Sequence, residues 1–499
     1  MDLAFKLDRQ SKTPLYLQIA NQIIGQIKAG SLKEEAALPA ERKLAAILGI
    51  NRSTVINAYN QLEGLGYVYS HVGRGTLVAP LDSREKKDSF GWQELLSGQG
   101  ETVINAYNST MAELLVRRDL INMDSGVAAP ELYPSERFAE LLTEIMLTEG
   151  QGVLEYNCAQ GLKSFRESLA DLMRLRSIHA STDNITILNG SQEGIDLVGR
   201  ILLEPGDCVI VEQPTFLGAI DIFRAYGVRL IGVLVDDEGM LVSRLESILS
   251  RVKPKLIYTI PSYQNPTGTC MSLERRQRLL KLAGKYHVPI LEDDAYGYLS
   301  YGSSTVPTLK SMDNTGIVIY LSTMSKILCP GLRLGWMVTP VGLTQYVVAG
   351  KQLTNLHSNN VTQRLVDLFY RKGYLQDQVL KSRDCYRNKL NLMLKALKQY
   401  APEGMSWCEP EGGFYIWVSL PENLSAIQVL QEAINNNVAI VAGPVFFHCN
   451  EGHNHIRLNF SYIKPEQIDE GIRILCRVIK TSMKPGAKLS LAAEIKPIV

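Results

Sequence analysis

The stretch Ser322-Thr-Met-Ser-Lys326-Ile-Leu-Cys-Pro-Gly-Leu-Arg333-Leu-Gly-Trp336 decides the fold of most of this chain. It follows the apolar run 317–321, which is typical of a buried parallel strand, so its polar side chains lie where a strand gives way to a loop. Open α/β sheets bind ligands at such carboxyl ends. The lysine amine, the arginine and the hydroxyls of Thr323 and Ser325 suit a ligand with both a carbonyl and a phosphate. Pyridoxal phosphate is such a ligand.

The short pattern Ser-x-x-Lys is also typical of a surface turn, in which Arg333 would be a solvated charge. The wider run favours a cofactor site, because it resembles the segment of fold-type I aminotransferases in which the cofactor lysine is followed by Pro-Gly-Leu-Arg-Leu-Gly. The resemblance implies that Lys326 is the catalytic residue and binds pyridoxal phosphate covalently. The hydroxyls of Thr323 and Ser325, together with Arg333, would hold the phosphate.

Length and composition limit the class of protein. With 499 residues, at about 150 residues per domain, the chain is long enough for about three units. Its net charge of +1 argues against a protein that coats nucleic acid or binds membrane surfaces throughout, and leaves room for a local basic patch. Eight scattered cysteines without a Cys-x-x-Cys pair, no signal-peptide core and no apolar run near the roughly 20 residues that span a bilayer predict a cytoplasmic protein.

Residues 1–79 are predicted to form a winged helix-turn-helix domain. Asn51 or Ser53 is placed to cap its third helix, and the tight turn at 49–52 joins the second helix to the third. Nine Lys or Arg against six Asp or Glu give the segment a net charge of +3, which suits phosphate contact. Apolar spacing and flanking Pro and Gly residues predict helices over 14–29, 40–49 and 51–62, followed by strands at 64–69 and 73–78.

The motifs Pro-Ala-Glu-Arg, Asn-Arg-Ser-Thr-Val and Gly-Arg-Gly-Thr stand in this order in the first domain. A three-helix bundle with solvated arginines is the alternative for any one of them, but together they resemble the winged helix of GntR-type regulators over about residues 11–79. Short polar side chains at the start of a helix in the major groove reach phosphates and base edges. By this resemblance the DNA-binding residues are Arg42, Arg52, Ser53, Thr54, Gly73 and Arg74.

Residues 80–115 are predicted to be a linker, since the charged run Leu81–Ser89 has no periodicity. Within it, Thr102–Asn108 repeats Thr54–Asn60 identically. Nothing like the wing accompanies the second copy, so we do not predict a second DNA-binding domain there.

From 116 to 499, strand-like apolar runs alternate with helical stretches, which predicts an α/β fold. By resemblance this part is a fold-type I aminotransferase-like domain, with a mostly parallel sheet of the seven-stranded type. A smaller α/β subdomain is expected from about residue 385.

The turn after the predicted strand Ile185–Leu188 could hold an anion. The strand ends at Asn189-Gly190, where the free N–H groups and dipole of the next helix would face a ligand. A plain strand-to-helix turn is the alternative, and the phosphate inferred at Arg333 favours Ser191 and Gln192 as its donors.

Two further turns resemble parts of the cofactor site. Phe216 follows the predicted strand 208–211, and by resemblance its ring stacks on the cofactor ring, although an aromatic residue after a proline is often a core residue. Asn265 begins Asn-Pro-Thr-Gly, the most diagnostic four-residue match. An Asn before Pro is held extended and can direct its amide at the phenolic oxygen of the cofactor.

A carboxylate beside the pyridine nitrogen would keep that nitrogen protonated. Asp293 and Asp294 compete for this role, and the family spacing of three residues before the tyrosine favours Asp293 with Tyr296. Tyr296 would donate to the phenolic oxygen. Tyr156 matches a residue that reaches the phosphate in the neighbouring subunit, which implies a homodimer.

Arg457, in His-Ile-Arg-Leu-Asn, matches the position that grips the α-carboxylate of an amino acid, and a planar guanidinium does this in a bidentate way. Gly126 matches a flexible segment at the entrance of the pocket. The histidines at 448, 453 and 455 with Cys449 fit no established zinc spacing, so we predict no metal site and a solvated loop there.

A GntR-like winged helix followed by an aminotransferase-like domain resembles the MocR subfamily of bacterial regulators. This implies a pyridoxal-phosphate-dependent regulator that binds operator DNA and senses an amino compound or the cofactor itself. The alternatives are a working amino-acid aminotransferase with an accessory DNA-binding domain, and a regulator that retains slow partial transamination.

Overall fold

The structure, a computed structural model, divides into two compact units, Met1–Ser97 and Gly98–Val499. The charged run at 81–89 and the second heptapeptide copy at 102–108 lie outside the described residues. Among the described residues, no helix is both long enough and apolar enough to cross a bilayer. The described residues are 7, 14–28, 31–71, 74–79, 95–97, 100, 120–302 and 306–483.

The first unit contains the three predicted helices and two strands, but the first strand begins at Val68 rather than at residue 64 because the third helix extends to Gly64. The strands pair antiparallel, from Val68 opposite Val78 to His71 opposite Gly75. In chain order its elements are α1 (Leu15–Lys28), α2 (Glu41–Leu48), α3 (Arg52–Gly64), β1 (Val68–His71) and β2 (Gly75–Val78).

The turn between α2 and α3 follows from one glycine. Gly49 has φ +60 and its N–H bonds the carbonyl of Ala45, which ends α2 in the left-handed conformation that glycine adopts most easily. Asn51 occupies the N-cap position of α3, but its side chain makes no capping hydrogen bond, and Ser53 lies inside the first turn. The predicted side-chain cap is therefore not formed. Buried apolar residues hold the helices together: Ile19, Ile23, Leu44, Val55 and Leu62.

The second unit is built on a large sheet with helices on its faces. Strands β4, β5 and β8 to β11 are buried at every position, which explains why they read as continuous apolar runs. In the described residues the sheet has eight strands in the order β4-β11-β10-β9-β8-β5-β6-β7, one more than the predicted type because the two-residue β7 pairs with β6. The strands are β3 (Ile121–Asn122), outside this sheet, then β4 (Ile185–Leu188), β5 (Cys208–Gln213), β6 (Arg229–Asp236), β7 (Gly239–Met240), β8 (Leu256–Thr259), β9 (Ile290–Asp293), β10 (Val318–Thr323) and β11 (Gly335–Val338).

The neighbouring strands β10, β9, β8, β5 and β6 run parallel, and β11 runs antiparallel between β4 and β10. Parallel strands require long crossovers, which the intervening helices supply. The helices of this unit are α4 (Ser135–Glu149), α5 (Lys163–Arg174), α6 (Ser191–Leu202), α7 (Leu217–Ala225), α8 (Val242–Val252), α9 (Leu273–Tyr286), α10 (Leu309–Met312), α11 (Val341–Asn355), α12 (Asn360–Arg371), α13 (Tyr374–Tyr400), α14 (Ala426–Asn435) and α15 (Pro465–Ser482).

A second, antiparallel sheet lies in the C-terminal part of the chain. Its order is β12-β13-β16-β15, formed by β12 (Ser406–Trp407), β13 (Tyr415–Ser419), β15 (Val441–Ala442) and β16 (His455–Asn459). The short strand β14 (Val438–Ala439) pairs in parallel with β3 near the start of this unit. Residue 385, where we expected the small subdomain to begin, lies inside α13.

One buried arginine fixes the loop after β8. Arg276 in α9 is fully buried, and its guanidinium donates to the carbonyls of Pro261 at 2.6 Å, Met271 at 2.9 Å and Pro307 at 3.3 Å. The loop held in this way includes Asn265, so the position of that amide depends on a residue of the following helix.

We expect Arg276→Met to lower the free energy of unfolding by about 3 kcal/mol, because it leaves buried carbonyls without donors. Urea unfolding monitored by circular dichroism measures this loss. The exposed Arg278, on the same helix, provides the matched control, and Arg278→Met should change stability by less than about 0.5 kcal/mol. Equal effects of the two substitutions would contradict the assigned role of Arg276.

Candidate functional site

The candidate site lies at the carboxyl ends of the neighbouring parallel strands β9 and β10. Asp293 ends β9 and Thr323 ends β10, and the pairing of Leu321 with Asp293 brings these ends side by side. Lys326 lies in the loop that follows β10, as the apolar run at 317–321 predicted. The fold thus gathers side chains that lie far apart in the sequence.

Asp293 is a buried carboxylate with one oxygen unsatisfied. The Tyr258 hydroxyl donates to Oδ2 at 2.8 Å, whereas Oδ1 is buried and has no hydrogen-bond partner. Burial raises the pKa of Asp293 to about 7, although the bond from Tyr258 opposes the shift. An orphaned carboxylate oxygen in this place fits a ligand that brings its own N–H donor, such as a protonated pyridine ring.

Asp294 is engaged elsewhere. It forms a buried ion pair with Arg176, and the Tyr320 hydroxyl donates to its Oδ2 at 2.7 Å. The two neighbouring carboxylates therefore have separate partners. This geometry favours Asp293 over Asp294 as the group that meets a ligand.

Lys326 lies beside two tyrosines and the chain near residue 126. Its Nζ donates to the Gly126 carbonyl at 2.7 Å and lies 5.9 Å from the centroid of the Tyr296 ring. The hydroxyls of Tyr296 and Tyr415 are 2.9 Å apart. A Cβ at Gly126 would collide with the Tyr415 hydroxyl, so this approach requires glycine. Tyr415 is not among the residues predicted from the sequence, although the Gly-Gly-Phe-Tyr run that ends in it marks a close approach.

Arg457 and Asn265 meet although they are remote in sequence. Arg457 is fully buried, and it donates to the Asn265 Oδ1 at 3.0 Å and to the Asp124 carbonyl at 2.7 Å. Its Cζ lies 4.4 Å from the centroid of the Tyr415 ring and 4.8 Å from that of Phe446. The guanidinium is thus held rigidly, with aromatic rings as neighbours.

A group that we call the anion cradle is formed by Gly190, Ser191, Thr323, Ser325 and Arg333. Gly190 has φ +95 and precedes α6, and the Arg333 Nη2 donates to the Asn189 carbonyl at 3.1 Å. The Thr323 Oγ1 lies 3.0 Å from the Ser325 Oγ.

Two glycines allow close approaches between the parts of the cradle. A Cβ at Gly190 would lie 2.6 Å from the Arg333 Nη2, and one at Gly335 would lie 3.0 Å from the Ser191 nitrogen. Gly335 pairs with Thr323 on one side and with Leu188 on the other, which brings the two halves of the cradle together. A helix N-terminus, two hydroxyls and a guanidinium in this arrangement fit a phosphate group.

Phe216, which directly precedes α7, lies next to the side chain of Gln192 in α6. A Cβ at Gly218 would be 2.6 Å from the Phe216 Cζ and 2.9 Å from the Gln192 Oε1, so both side chains approach the same glycine. By contrast, Tyr156 is 84% exposed, and its ring packs edge-on against His357 at 5.7 Å. No contact found among the described residues links Tyr156 to Lys326 or Arg333.

His453 and His455 border a separate cleft of about 700 Å³, and His455 is half-buried at the start of β16 rather than in the predicted solvated loop. His455 stacks on Trp417 with the ring centroids 5.2 Å apart. Within the part of the chain that the structure describes, no group of three or more His, Cys, Asp or Glu residues is placed to hold a metal ion.

In the first unit, Arg52 lies at the start of α3 and forms an ion pair with Glu41 of α2. Its Nη2 and Nε lie 2.8 and 3.1 Å from the Glu41 Oε2. Arg42, Ser53 and Arg74 are exposed and Thr54 is half-buried, whereas Gly73 lies outside the described residues. These side chains are available to an external partner.

Two family models match the chain. The model described as aminotransferase class I and II matches residues 118–475, and that described as bacterial regulatory proteins, gntR family, matches residues 15–78. The crystal structure of Pyrococcus horikoshii kynurenine aminotransferase in complex with PMP is 37% identical, with a TM-score of 0.72. That match covers 80% of this chain and 98% of the other.

Two relatives match almost the whole chain. The uncharacterized HTH-type transcriptional regulator YisV of Bacillus subtilis is 30% identical over 95% of this chain and 98% of its own length. The probable rhizopine catabolism regulatory protein MocR of Rhizobium meliloti is 27% identical over 94% of each. Both relatives therefore combine the two regions in one chain.

The raised pKa of Asp293 predicts a pH-dependent stability. Because the folded-state pKa of about 7 lies above the unfolded one, ionisation of Asp293 opposes folding, and this cost grows as the pH rises from about 4 to about 7 and is constant above that. In the ligand-free protein, Asp293→Asn should therefore gain about 3 kcal/mol of stability over the wild type between about pH 5 and about pH 8.

Urea unfolding of both proteins at the two pH values measures this gain. Asp294→Asn is the matched control and should lose stability at both pH values, because the buried Arg176 loses its charged partner. A stability difference between Asp293→Asn and the wild type that does not change with pH would contradict the assignment.

Proposed function

Because the chain belongs to the aminotransferase class I and II family and carries the N-terminal domain of the GntR family, as in the MocR subfamily of regulators, we propose that it is a pyridoxal-phosphate-dependent transcriptional regulator. Its first unit binds operator DNA, and its second unit senses an amino compound or the cofactor. The observation that carries the proposal is the match to regulators along nearly the whole chain, which includes the winged helix.

The site residues fit the cofactor. When bound, pyridoxal phosphate supplies an aldehyde that condenses with amines and a ring that withdraws electrons. We assign covalent attachment to Lys326, the ring nitrogen to Asp293 and the phenolic oxygen to Asn265 and Tyr296. The ring is assigned to Phe216, and the phosphate to the anion cradle with Gln192. The unsatisfied Oδ1 of Asp293 supports this orientation.

We assign the effector carboxylate to Arg457, next to Gly126. The guanidinium is rigidly held and lies among aromatic rings, so a carboxylate that reaches it would be screened little by water. Lys326, on the same site, would meet the amine of that ligand. An α-amino acid carries both groups at a fixed separation, which makes it the effector class that the site suits best.

We further propose that the protein acts as a homodimer in the cytoplasm. Three large side chains near His357 are highly exposed: Tyr156 by 84%, Leu154 by 70% and Leu356 by 52%. Such a group of exposed large side chains is unusual for a surface that faces only water. A second copy would cover them and would bring Tyr156 to the partner's phosphate. Two winged helices on one duplex would then raise the affinity for DNA through effective concentration.

Arg52→Ala should weaken operator binding and reduce the slope of log affinity against log salt by about 0.9, because one phosphate contact is lost. Fluorescence anisotropy with labelled upstream DNA at several salt concentrations measures both quantities. Arg137→Ala replaces an exposed, ion-paired arginine of the second unit and should change neither. An unchanged affinity and slope in Arg52→Ala would remove this residue from the interface.

A working aminotransferase is the competing function, favoured by the 37% identity to the kynurenine enzyme and by the complete set of site residues. Turnover requires more of the chain than sensing does. Lys326 must release its covalent partner and then move the α-proton, and a second keto acid must be accepted. A sensor needs only different affinities of its two DNA-binding states for the ligand.

We expect amino acids to change the absorption of the bound cofactor and the operator affinity, with little multiple-turnover transamination. Arg457→Ala should lose the response to α-carboxylate ligands while it keeps the cofactor absorption band, which also shows that the variant folds. Spectrophotometric titration, DNA binding and a coupled turnover assay check these outcomes. Rapid turnover with amino-acid and keto-acid pairs, without specific binding to its own upstream DNA, would make the enzyme function correct.

A further inference from the structure

A buried ion pair lies directly behind the anion cradle. Glu193, the third residue of α6, accepts a hydrogen bond from the Asn189 N–H at 2.5 Å through its Oε2. The Nζ of Lys351, in α11, lies 3.1 Å and 3.2 Å from the two carboxylate oxygens of Glu193. Lys351 is fully buried. Removing charges from water costs free energy even when they are paired, so a buried pair at this position requires an explanation.

Glu193 holds the peptide that leads into the cradle. The N–H of Asn189 bonds Glu193, and its carbonyl accepts from Arg333 at 3.1 Å. Asn189 is thus fixed from both sides immediately before Gly190. The orientation of this peptide sets the direction of the first N–H groups of α6. By holding the peptide, the Glu193 carboxylate positions the donors that a phosphate would meet.

The charges explain why Lys351 is needed. A carboxylate in the first turn of α6 would repel a phosphate bound at the same helix end, and the repulsion is strong in a buried setting. Lys351 compensates that charge. Burial lowers the pKa of Lys351, and the neighbouring Glu193 opposes this shift, so the pair is electrostatically interdependent.

The same network reaches the exposed surface around Tyr156. Lys351 donates to the Asn355 Oδ1 at 2.9 Å, and Asn355 in turn donates to Glu193. The next residue, Leu356, has a left-handed φ of +62, and His357 then packs against the Tyr156 ring. A non-glycine residue in this conformation is strained and is kept there by its surroundings.

We propose that Glu193 and Lys351 are positioning residues for the anion cradle, and that through Asn355 they transmit the occupancy of the cradle to residues 355–357. This inference rests on the proposed function, in which the cradle holds the phosphate of pyridoxal phosphate. It assigns to the protein a physical link between cofactor binding and the surface proposed for dimerisation.

The test compares pyridoxal phosphate with pyridoxal, which lacks the phosphate, in titrations of the ligand-free full chain followed by absorption. Lys351→Met leaves the Glu193 charge uncompensated, so we expect about tenfold or greater weakening for pyridoxal phosphate and less than about twofold for pyridoxal. Lys372→Met, at the exposed ion pair with Glu144, is the matched control and should change neither.

Two double variants separate the charge from the positioning hydrogen bond. Glu193→Gln with Lys351→Met holds no charge and keeps an acceptor for the Asn189 N–H, so it should recover most of the affinity for pyridoxal phosphate. Glu193→Ala with Lys351→Met lacks the acceptor and should stay weak. Neither double variant leaves an unpaired buried charge, so both keep the test valid if Lys351→Met alone does not fold.

Hydrogen exchange measured by mass spectrometry tests the link to the surface. Pyridoxal phosphate should slow exchange at 350–357 in the wild type, and it should not do so in the Glu193→Ala, Lys351→Met variant at saturating cofactor. Equal protection in both proteins, equal affinities of the two double variants, or equal losses for the two ligands would overturn the inference while the proposed function stands. A wild type that binds neither ligand would overturn both.

Discussion

The constraint on which the second unit depends is the burial of the Asp293 carboxylate at the end of a strand that is covered on both faces. A charge in such a place is stable only if a ligand supplies the missing partner or if the group takes up a proton. The raised pKa of Asp293 reflects its tendency to take up a proton, and the unsatisfied Oδ1 marks where the partner is missing. The ligand-free fold therefore bears a free-energy cost at Asp293, and carboxylates perturbed in this way are typical of functional sites.

Glycines and buried arginines shape the rest of the site around that charge. Gly190 lets the Arg333 guanidinium approach, Gly335 lets the main chain at Ser191 approach, and Gly126 lets the Tyr415 hydroxyl approach the main chain. Arg457 bonds a loop that is distant in sequence, and Arg276 bonds the loop that precedes its own helix. The positions of Asn265 and of the cradle thus depend on the packing of the whole unit, and the site is assembled only when the sheet and its helices are complete.

The two units have different kinds of interaction surface. The first presents exposed arginine and short polar side chains at the start of α3, where solvated charges can meet phosphates at little cost. The second keeps Asp293 and Arg457 buried, where each charge is effective but must be compensated.

The sequence by itself determined the winged helix, the strands that end at the site and nearly all of its candidate residues, because periodicity, helix-ending glycines and short motifs are local signals. The family spacing favoured Asp293 over Asp294, but only the tertiary structure gives the physical reason, because Arg176 and Tyr320 arrive from remote elements to bind Asp294. The place of Tyr415 and the pairing of β3 with β14 also follow only from the tertiary structure. So does the Glu193–Lys351 pair, because the packing of α6 against α11 brings its members together. Local chemistry predicts what a residue can do, whereas its partners, its burial and hence its charge state follow from how the chain packs.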